Sequence, residues 1–341
     1  MKFSLIILFF LLSVTIESLA ERCSYVNLSN HFGTPYDQQD IGWCYAYSGS
    51  DLLTYKYRNV LGGQAVSPIH MALLQNLSDA ERVSAEAGTV RNAIRFATYR
   101  FNETETSSFF KGLCLATVDA AVIDMRAKIG VKKQFAQLGL LKSEYDKVLP
   151  NGTNAGFIDY YAKIYLENPL ISRLDVKTLQ NLMQNSRSTE IGIKYLDIFC
   201  PYASRFKAPE NEVAIYRYVG GEYATVPPKG PVVYTQIKDS HQILEMVHEQ
   251  IDKKNVSSIS YFPEFLSGAY QGQGVLHAST IVGREFLRNS CHIIVRNSWG
   301  GCLDKQGKQK YSNAVTKCEN GYLWVPENRL LPHLDGITYL K

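Results

Sequence analysis

The hydrophobic positions of this chain fall into three regimes. The first is a strongly apolar run, Phe3 to Leu12, behind one lysine and ahead of the small-residue end Ser18-Leu19-Ala20. That arrangement predicts a secretory signal peptide over residues 1–20. The run is too short for a permanent membrane helix, which needs about 20 apolar residues, and no later stretch approaches that length. The second regime has helical spacing. Gly42 precedes a periodic stretch that the Gly62-Gly63 pair is expected to stop, which puts Cys44 at a helix N-terminus. Further helices are expected from Ser67, over Thr89 to Phe101, over Val118 to Ile129, and in patches around Phe157 to Leu166 and Val176 to Met183. The clearest runs from Ser240 to Lys254, where Ile243, Val247 and Ile251 recur at i, i+4 behind Ser240 as the cap. In the third regime Ser257 to Phe262, His277 to Phe286, His292 to Asn297 and Gly321 to Val325 read as short β-rich runs. Helices first and strands later predict an α+β protein with a mainly helical half and a mainly sheet half, not an alternating α/β fold.

Length leaves the domain count open: the residues beyond Ala20 suit one large decorated domain or two halves sharing an interface. The formal net charge is +4 and no basic run stands out, so nucleic acid is not an expected partner. Cysteine usage changes the picture more. Seven cysteines, at 23, 44, 114, 200, 291, 302 and 318, occur in a chain expected to reach an oxidising compartment. An odd count leaves one thiol outside internal pairing, and in an exported protein such a thiol is either an intermolecular link or a reactive group. If it is Cys44, three bridges remain. Cys302 and Cys318 flank a polar loop and form the easiest local pair; for the four that remain, which can combine in three ways, the expectation is Cys114 with Cys200 and Cys23 with Cys291.

A thiol is a weak nucleophile while protonated, and the positive end of a helix dipole favours the thiolate. Position alone therefore makes Cys44 a candidate nucleophile, the plainer alternative being a buried structural thiol that happens to open a helix. Thiolate chemistry also needs an imidazole to carry the proton and a group to orient that imidazole. His277 opens one strand-like run, and a second, His292 to Arg296, ends in Asn297-Ser298-Trp299-Gly300-Gly301. Two adjacent strands would bring His277 and Asn297 together. The other histidines have weaker contexts. No cysteine spacing suits a zinc site and no phosphate-cradling glycine loop occurs, so neither metal nor cofactor is expected.

These residues resemble the papain family of cysteine peptidases. Gln38 lies six positions before Cys44, Gly42 and the run Cys44-Tyr45-Ala46-Tyr47-Ser48 fit the family's nucleophile helix, His277-Ala278 fits its His-Ala, and Asn297-Ser298-Trp299-Gly300 fits its Asn-Ser-Trp-Gly. Gly321-Tyr322-Leu323 is similar to the strand that follows. The resemblance implies a two-lobed fold with a helical lobe, an antiparallel β lobe and the active-site cleft between them. It implies Cys44 as nucleophile, His277 as general acid/base, Asn297 as its orienting partner and Trp299 as the cover on their hydrogen bond. Gln38, with Gln39 as fallback, would donate to the oxyanion beside the Cys44 backbone N–H. Gly88 would bind the substrate backbone, and Val275 would line the pocket two residues before the cleaved bond.

Departures from the family pattern are informative. Ile41 and Ala85 stand where most members carry a bridged cysteine pair, Tyr45 replaces a tryptophan, and Leu276 replaces an acidic residue. Only 17 residues separate Ala20 from Gln38, which leaves no room there for an inhibitory pro-segment; a regulatory protein supplied in trans is the expected substitute. His277 follows Cys44 by 233 positions, against the roughly 130 to 150 usual in the family. The excess falls mostly in residues 115–200, read as a helical insertion that is either a surface elaboration or a lid. The expected activity is hydrolysis of protein or peptide bonds by an exported enzyme. The alternatives are an inactive binding protein of the same fold and an acyl transferase using the same Cys-His-Asn set.

Overall fold

The computed structural model describes residues 23–38, 41–78, 88–98, 112–117, 131–148, 168–187, 190–200, 205–207, 214–218, 239–267, 275–304 and 306–341. The expected signal peptide and the helices expected over 118–129 and 157–166 lie outside the described residues, as does Gln39. The main helices are α1 (Cys44–Lys56), α2 (Pro68–Ser78), α3 (Val90–Thr98), α4 (Val131–Val148), α5 (Val176–Gln184), α6 (Ile191–Phe199) and α7 (Ser240–Asp252). The strands are β1 (Val26–Asn27), β2 (Leu113–Cys114), β3 (Arg205–Phe206), β4 (Ala214–Tyr218), β5 (Ser257–Tyr261), β6 (His277–Leu287), β7 (Ser290–Arg296), β8 (Lys317–Glu319), β9 (Tyr322–Pro326) and β10 (Leu334–Leu340). The protein is α+β, and its chain divides into two units. One comprises Gln38–Glu212; the other joins Met1–Asp37 to Val213–Lys341.

The first unit is helical. Helix α1 is its core: every residue from Tyr45 to Tyr55 is buried, and α2 and α3 pack against it. A helix enclosed this way must satisfy its polar side chains internally. Ser50 Oγ donates to the Val66 carbonyl at 2.5 Å and Thr54 Oγ1 accepts from Val66 N–H at 3.0 Å. The helix ends at Lys56, short of the glycine pair expected to stop it. A separate turn, Arg58–Leu61, follows and closes on Gly62 in the left-handed region (φ 58°). The Cys114–Cys200 disulfide ties the β2–β3 pair to the end of α6. The described part of residues 115–200 is largely helical and carries an apolar face that is packed. Leu138, Leu141, Tyr145, Leu179, Met183, Tyr195 and Leu196 on α4 to α6 are all buried.

The second unit is an antiparallel sheet in the order β4-β10-β5-β6-β7-β9-β8, with β1 joining at the far end of β6. Helix α7 lays Ile243, Val247 and Ile251 against β10 and β6. Its cap is Asp239, whose carboxylate accepts from Gln242 N–H at 3.1 Å; Ser240, expected as the cap, is the first helical residue. Strand β6 is buried from His277 to Arg284 and runs past its neighbours to meet β1. There a Cβ on Gly283 would stand 2.1 Å from the Val26 carbonyl oxygen, so only glycine lets β1 approach. The Cys23–Cys291 and Cys302–Cys318 disulfides both lie within this unit. With Cys114–Cys200 they complete the three pairs expected from the sequence, and Cys44 is not disulfide-bonded. Among the described residues no helix is long and apolar enough to cross a membrane.

Candidate active site

Strand register builds the candidate residues of the sheet unit. Strands β6 and β7 pair antiparallel with Thr280 opposite Arg296, so one step outward Ser279 of β6 faces Asn297, the residue just past β7. Side chains alternate along a strand, which puts His277 and Ser279 on the same face. His277 Nε2 lies 2.8 Å from Asn297 Oδ1. A carbonyl oxygen only accepts, so the imidazole carries its hydrogen on Nε2, and Nδ1 is the nitrogen left to exchange a proton. Ser279 Oγ donates to the same Oδ1 at 3.3 Å, and Tyr261 O–H reaches Ser279 Oγ at 3.0 Å. Two donors converging on Oδ1 fix which way round the Asn297 amide sits.

Rings close over this bond. Trp299 packs on His277 with centroids 4.4 Å apart, and Tyr261 meets the imidazole edge-on at 5.5 Å. His277 and Asn297 are buried. Burial pushes the His277 imidazole down to about 4, against the pull of its Asn297 hydrogen bond, so this environment favours the neutral ring. The Trp299 segment is anchored from behind. Asp37 bridges to Trp299, Gly300 N–H donates to the Tyr36 carbonyl at 3.1 Å, and Arg296 bonds the Gly33 carbonyl while lying over the Phe32 and Tyr36 rings. Gly300 adopts φ 78°, and a Cβ there would stand 2.9 Å from the Asp37 carboxylate.

The helical unit holds the thiol. Cys44 is the first residue of α1, half-buried, at the end where the helix dipole favours an anion. Gln38 is buried, and its side-chain Nε2 donates to the Ile41 carbonyl at 2.8 Å, closing the turn that delivers the chain to Cys44. Trp43, the residue before the thiol, packs on Phe135 of α4 with ring centroids 6.2 Å apart. The turn before Cys44 is therefore braced by Phe135. Gly88 lies under Tyr45, and a Cβ there would meet the tyrosine ring at 2.5 Å and Gln75 Nε2 at 2.3 Å.

The structure thus brings His277, Asn297 and Trp299 together in the sheet unit. It sets Gln38, Cys44 and Gly88 around the N-terminus of α1 in the helical unit. Val275 stands exposed just before β6. Three residues of the His277 neighbourhood were not singled out by sequence reasoning: Ser279, Tyr261 and Tyr311. Ser279 was within reach, because an alternating strand that aims His277 at a site aims its i+2 neighbour there too. Tyr261 and Tyr311 depend on cross-strand register and loop path, which no local pattern announces.

No family model matches the chain, and no curated protein matches it in sequence. Among solved structures it is similar to a digestive procathepsin L 3 of Tenebrio molitor larval midgut, at 11% identity over 93% of this chain and 69% of that one, with a TM-score of 0.44. It is similar also to xylellain, a cysteine protease from Xylella fastidiosa, at 12% identity over 93% of this chain and 85% of that one, TM-score 0.44. A third is the bromelain protease from Ananas comosus in complex with the E64 inhibitor, at 12% identity over 93% and 98% of the two chains, TM-score 0.41.

Proposed function

We propose that the protein is an exported cysteine peptidase of papain-like design, in which the Cys44 thiolate cleaves peptide bonds with His277 as general acid/base. The observation that carries this reading is the buried His277 Nε2–H···Oδ1 Asn297 bond beneath Trp299. It holds the imidazole in the one tautomer that leaves Nδ1 for a thiol. Supporting it, Cys44 begins a 13-residue helix and stands outside the three disulfides. Those three bridges also support export into an oxidising compartment.

The reaction follows from these roles. His277 Nδ1 takes the Cys44 proton, and the thiolate sulfur attacks the peptide carbonyl carbon. The oxyanion is met by the Cys44 backbone N–H and the Gln38 amide, donors of a kind that contribute about 3 to 4 kcal/mol each to the transition state. The C–N bond breaks as His277 returns the proton to the leaving amine, and a thioester remains on Cys44. Water then attacks the thioester, giving its proton to His277, and the acid leaves as the thiol is restored. Gly88 and the exposed Val275 are assigned to the substrate's backbone and to an apolar side chain. Control by a partner protein in trans belongs to the same reading.

The test is turnover of a peptide library by the wild-type protein and by Cys44→Ala and His277→Ala. Cleavage with apolar preference, abolished in both variants, is the expected result. Intact thiol reactivity with transfer to added amines instead of hydrolysis would indicate the transferase. Absence of any Cys44-dependent cleavage or transfer contradicts the proposal.

A further inference from the structure

Asn297 uses its Oδ1 fully, accepting from His277 and Ser279. Its amide nitrogen Nδ2 points the other way, is buried, and has no hydrogen-bond partner. The hydroxyl of Tyr311 is likewise buried and without a partner. A buried amide N–H and a buried phenol oxygen are costly when each is left alone and complementary when they meet. The two are neighbours: burial raises the Tyr311 phenol's pKa, and the Asn297 amide draws it back. The Tyr311 ring lies parallel to Trp299, with centroids 6.4 Å apart and planes 10° apart, so the order of rings runs His277, Trp299, Tyr311.

The backbone carrying Tyr311 is fixed on both sides. Before it, Lys310 N–H donates to the Cys302 carbonyl at 3.0 Å and Lys310 Nζ bonds the Trp299 carbonyl. After it, Ser312 N–H donates to the Leu266 carbonyl at 2.9 Å and Ser312 Oγ bonds the Phe265 carbonyl. Phe265 in turn packs on Tyr261, the residue that meets His277 edge-on. The Cys302–Cys318 disulfide closes the loop at its base. Tyr311 is the only aromatic residue between these two cysteines. A polar surface loop has no need to pin one buried tyrosine this firmly.

We infer that Tyr311 is a positioning residue for the proposed reaction: its oxygen takes the Asn297 Nδ2–H, locks the amide orientation, and through Asn297 holds His277 in register. The inference rests on the peptidase reading for its kinetic consequence but not for the contact itself. Without the hydroxyl, Nδ2 loses its acceptor and the amide is held from the Oδ1 side alone. The amide plane can then tilt more freely, and the His277 ring that it anchors tilts with it.

Tyr311→Phe tests this while keeping the ring stack. The expected result is a kcat about 5- to 10-fold lower, the scale of one neutral hydrogen bond, with KM within about two-fold, a displaced acid limb in kcat/KM, and a melting temperature close to wild type. In the wild-type protein the Asn297 side-chain amide should also exchange slowly with solvent, and in Tyr311→Phe faster. If wild type turns over peptides and Tyr311→Phe matches it in kcat and pH profile, the inference is overturned. If wild type shows no Cys44-dependent turnover, the functional reading fails instead, and amide exchange alone decides: faster exchange in Tyr311→Phe supports the contact, and equal exchange removes it.

Discussion

His277 opens β6 and Asn297 follows directly after β7, and a 2.8 Å bond from Nε2–H to Oδ1 joins them under the Trp299 ring. The strand register places the pair, the rings keep water from it, and the carbonyl acceptor dictates the tautomer. A His–Asn pair set into a sheet is held by the sheet's own cooperativity, which is how a shallow sequence motif becomes a rigid chemical device.

Asn297→Ala should cost about 10²-fold in kcat/KM, the low end of what general acid–base catalysis supplies. The variant leaves His277 Nε2–H and Ser279 Oγ–H without their shared acceptor. Steady-state kinetics on the best library peptide checks this, and a loss below about three-fold would remove Asn297 from its assigned role.

The His277 ring should titrate differently with and without the thiol. In Cys44→Ala it should stay neutral down to about pH 4, because burial depresses it and the Asn297 bond only partly offsets that. In the wild-type protein a thiolate partner stabilises the imidazolium and should raise the value by more than one unit, the scale typical of an adjacent opposite charge. Imidazole nitrogen shifts followed by NMR across pH 3 to 9 report both. Equal values in the two proteins would mean that the thiol and the ring do not interact.

Acid should destabilise the helical unit through His70. Its Nδ1 accepts from Cys114 N–H at 3.0 Å, so the ring is held neutral, and burial together with Arg205 pushes its pKa down to about 3. The folded value lies below the unfolded one, so the unfolded chain binds the proton more readily. This contribution is complete above about pH 6.5, shrinks as pH falls, and is gone below about pH 3. Its full size is on the order of 3 to 5 kcal/mol. His70→Gln keeps an acceptor for Cys114 N–H and removes the titration. Urea denaturation at pH 7 and pH 4.5 should show a smaller loss in His70→Gln than in wild type; identical losses would contradict the assignment.

Gly88→Ala should destabilise the helical unit by about 1 to 3 kcal/mol, the usual cost of overpacking. The added methyl has no space between Gln75 and the Tyr45 ring. Since Tyr45 follows Cys44, the proposed nucleophile, activity should fall further than the loss of folded protein explains. Thermal denaturation and active-site-normalised kinetics separate the two effects.

Much of the fold was legible because the signals were local. Helical spacing behind Cys44 and before Asp252, strand-like runs at His277 and His292, and the small arithmetic of seven cysteines all describe neighbours in sequence. Boundaries were less so. The end of α1 moved from Gly62 to Lys56, because a second short turn intervenes before the left-handed glycine. The cap of α7 moved from Ser240 to Asp239, since either side chain can accept and only the backbone path decides which sits outside the helix. The place of α4 to α6 was not legible at all. Their apolar stripes say that they pack somewhere, and only the assembled unit shows Phe135 against Trp43 and Tyr195 in the core. Tyr311 illustrates the same limit from the other side, a buried ring inside a stretch whose composition reads as a polar loop.

The measurement that tests the account most directly is the pH dependence of Cys44 alkylation. Wild-type protein is treated with iodoacetamide between pH 4 and 9 without reductant, and modification at each cysteine is quantified by mass spectrometry. Modification should be confined to Cys44, at a rate that persists into mildly acid solution. In His277→Ala the acid-side reactivity should be lost. A Cys44 that fails to react, or reacts only as an ordinary thiol titrating near pH 8.5 with no dependence on His277, would contradict the peptidase reading.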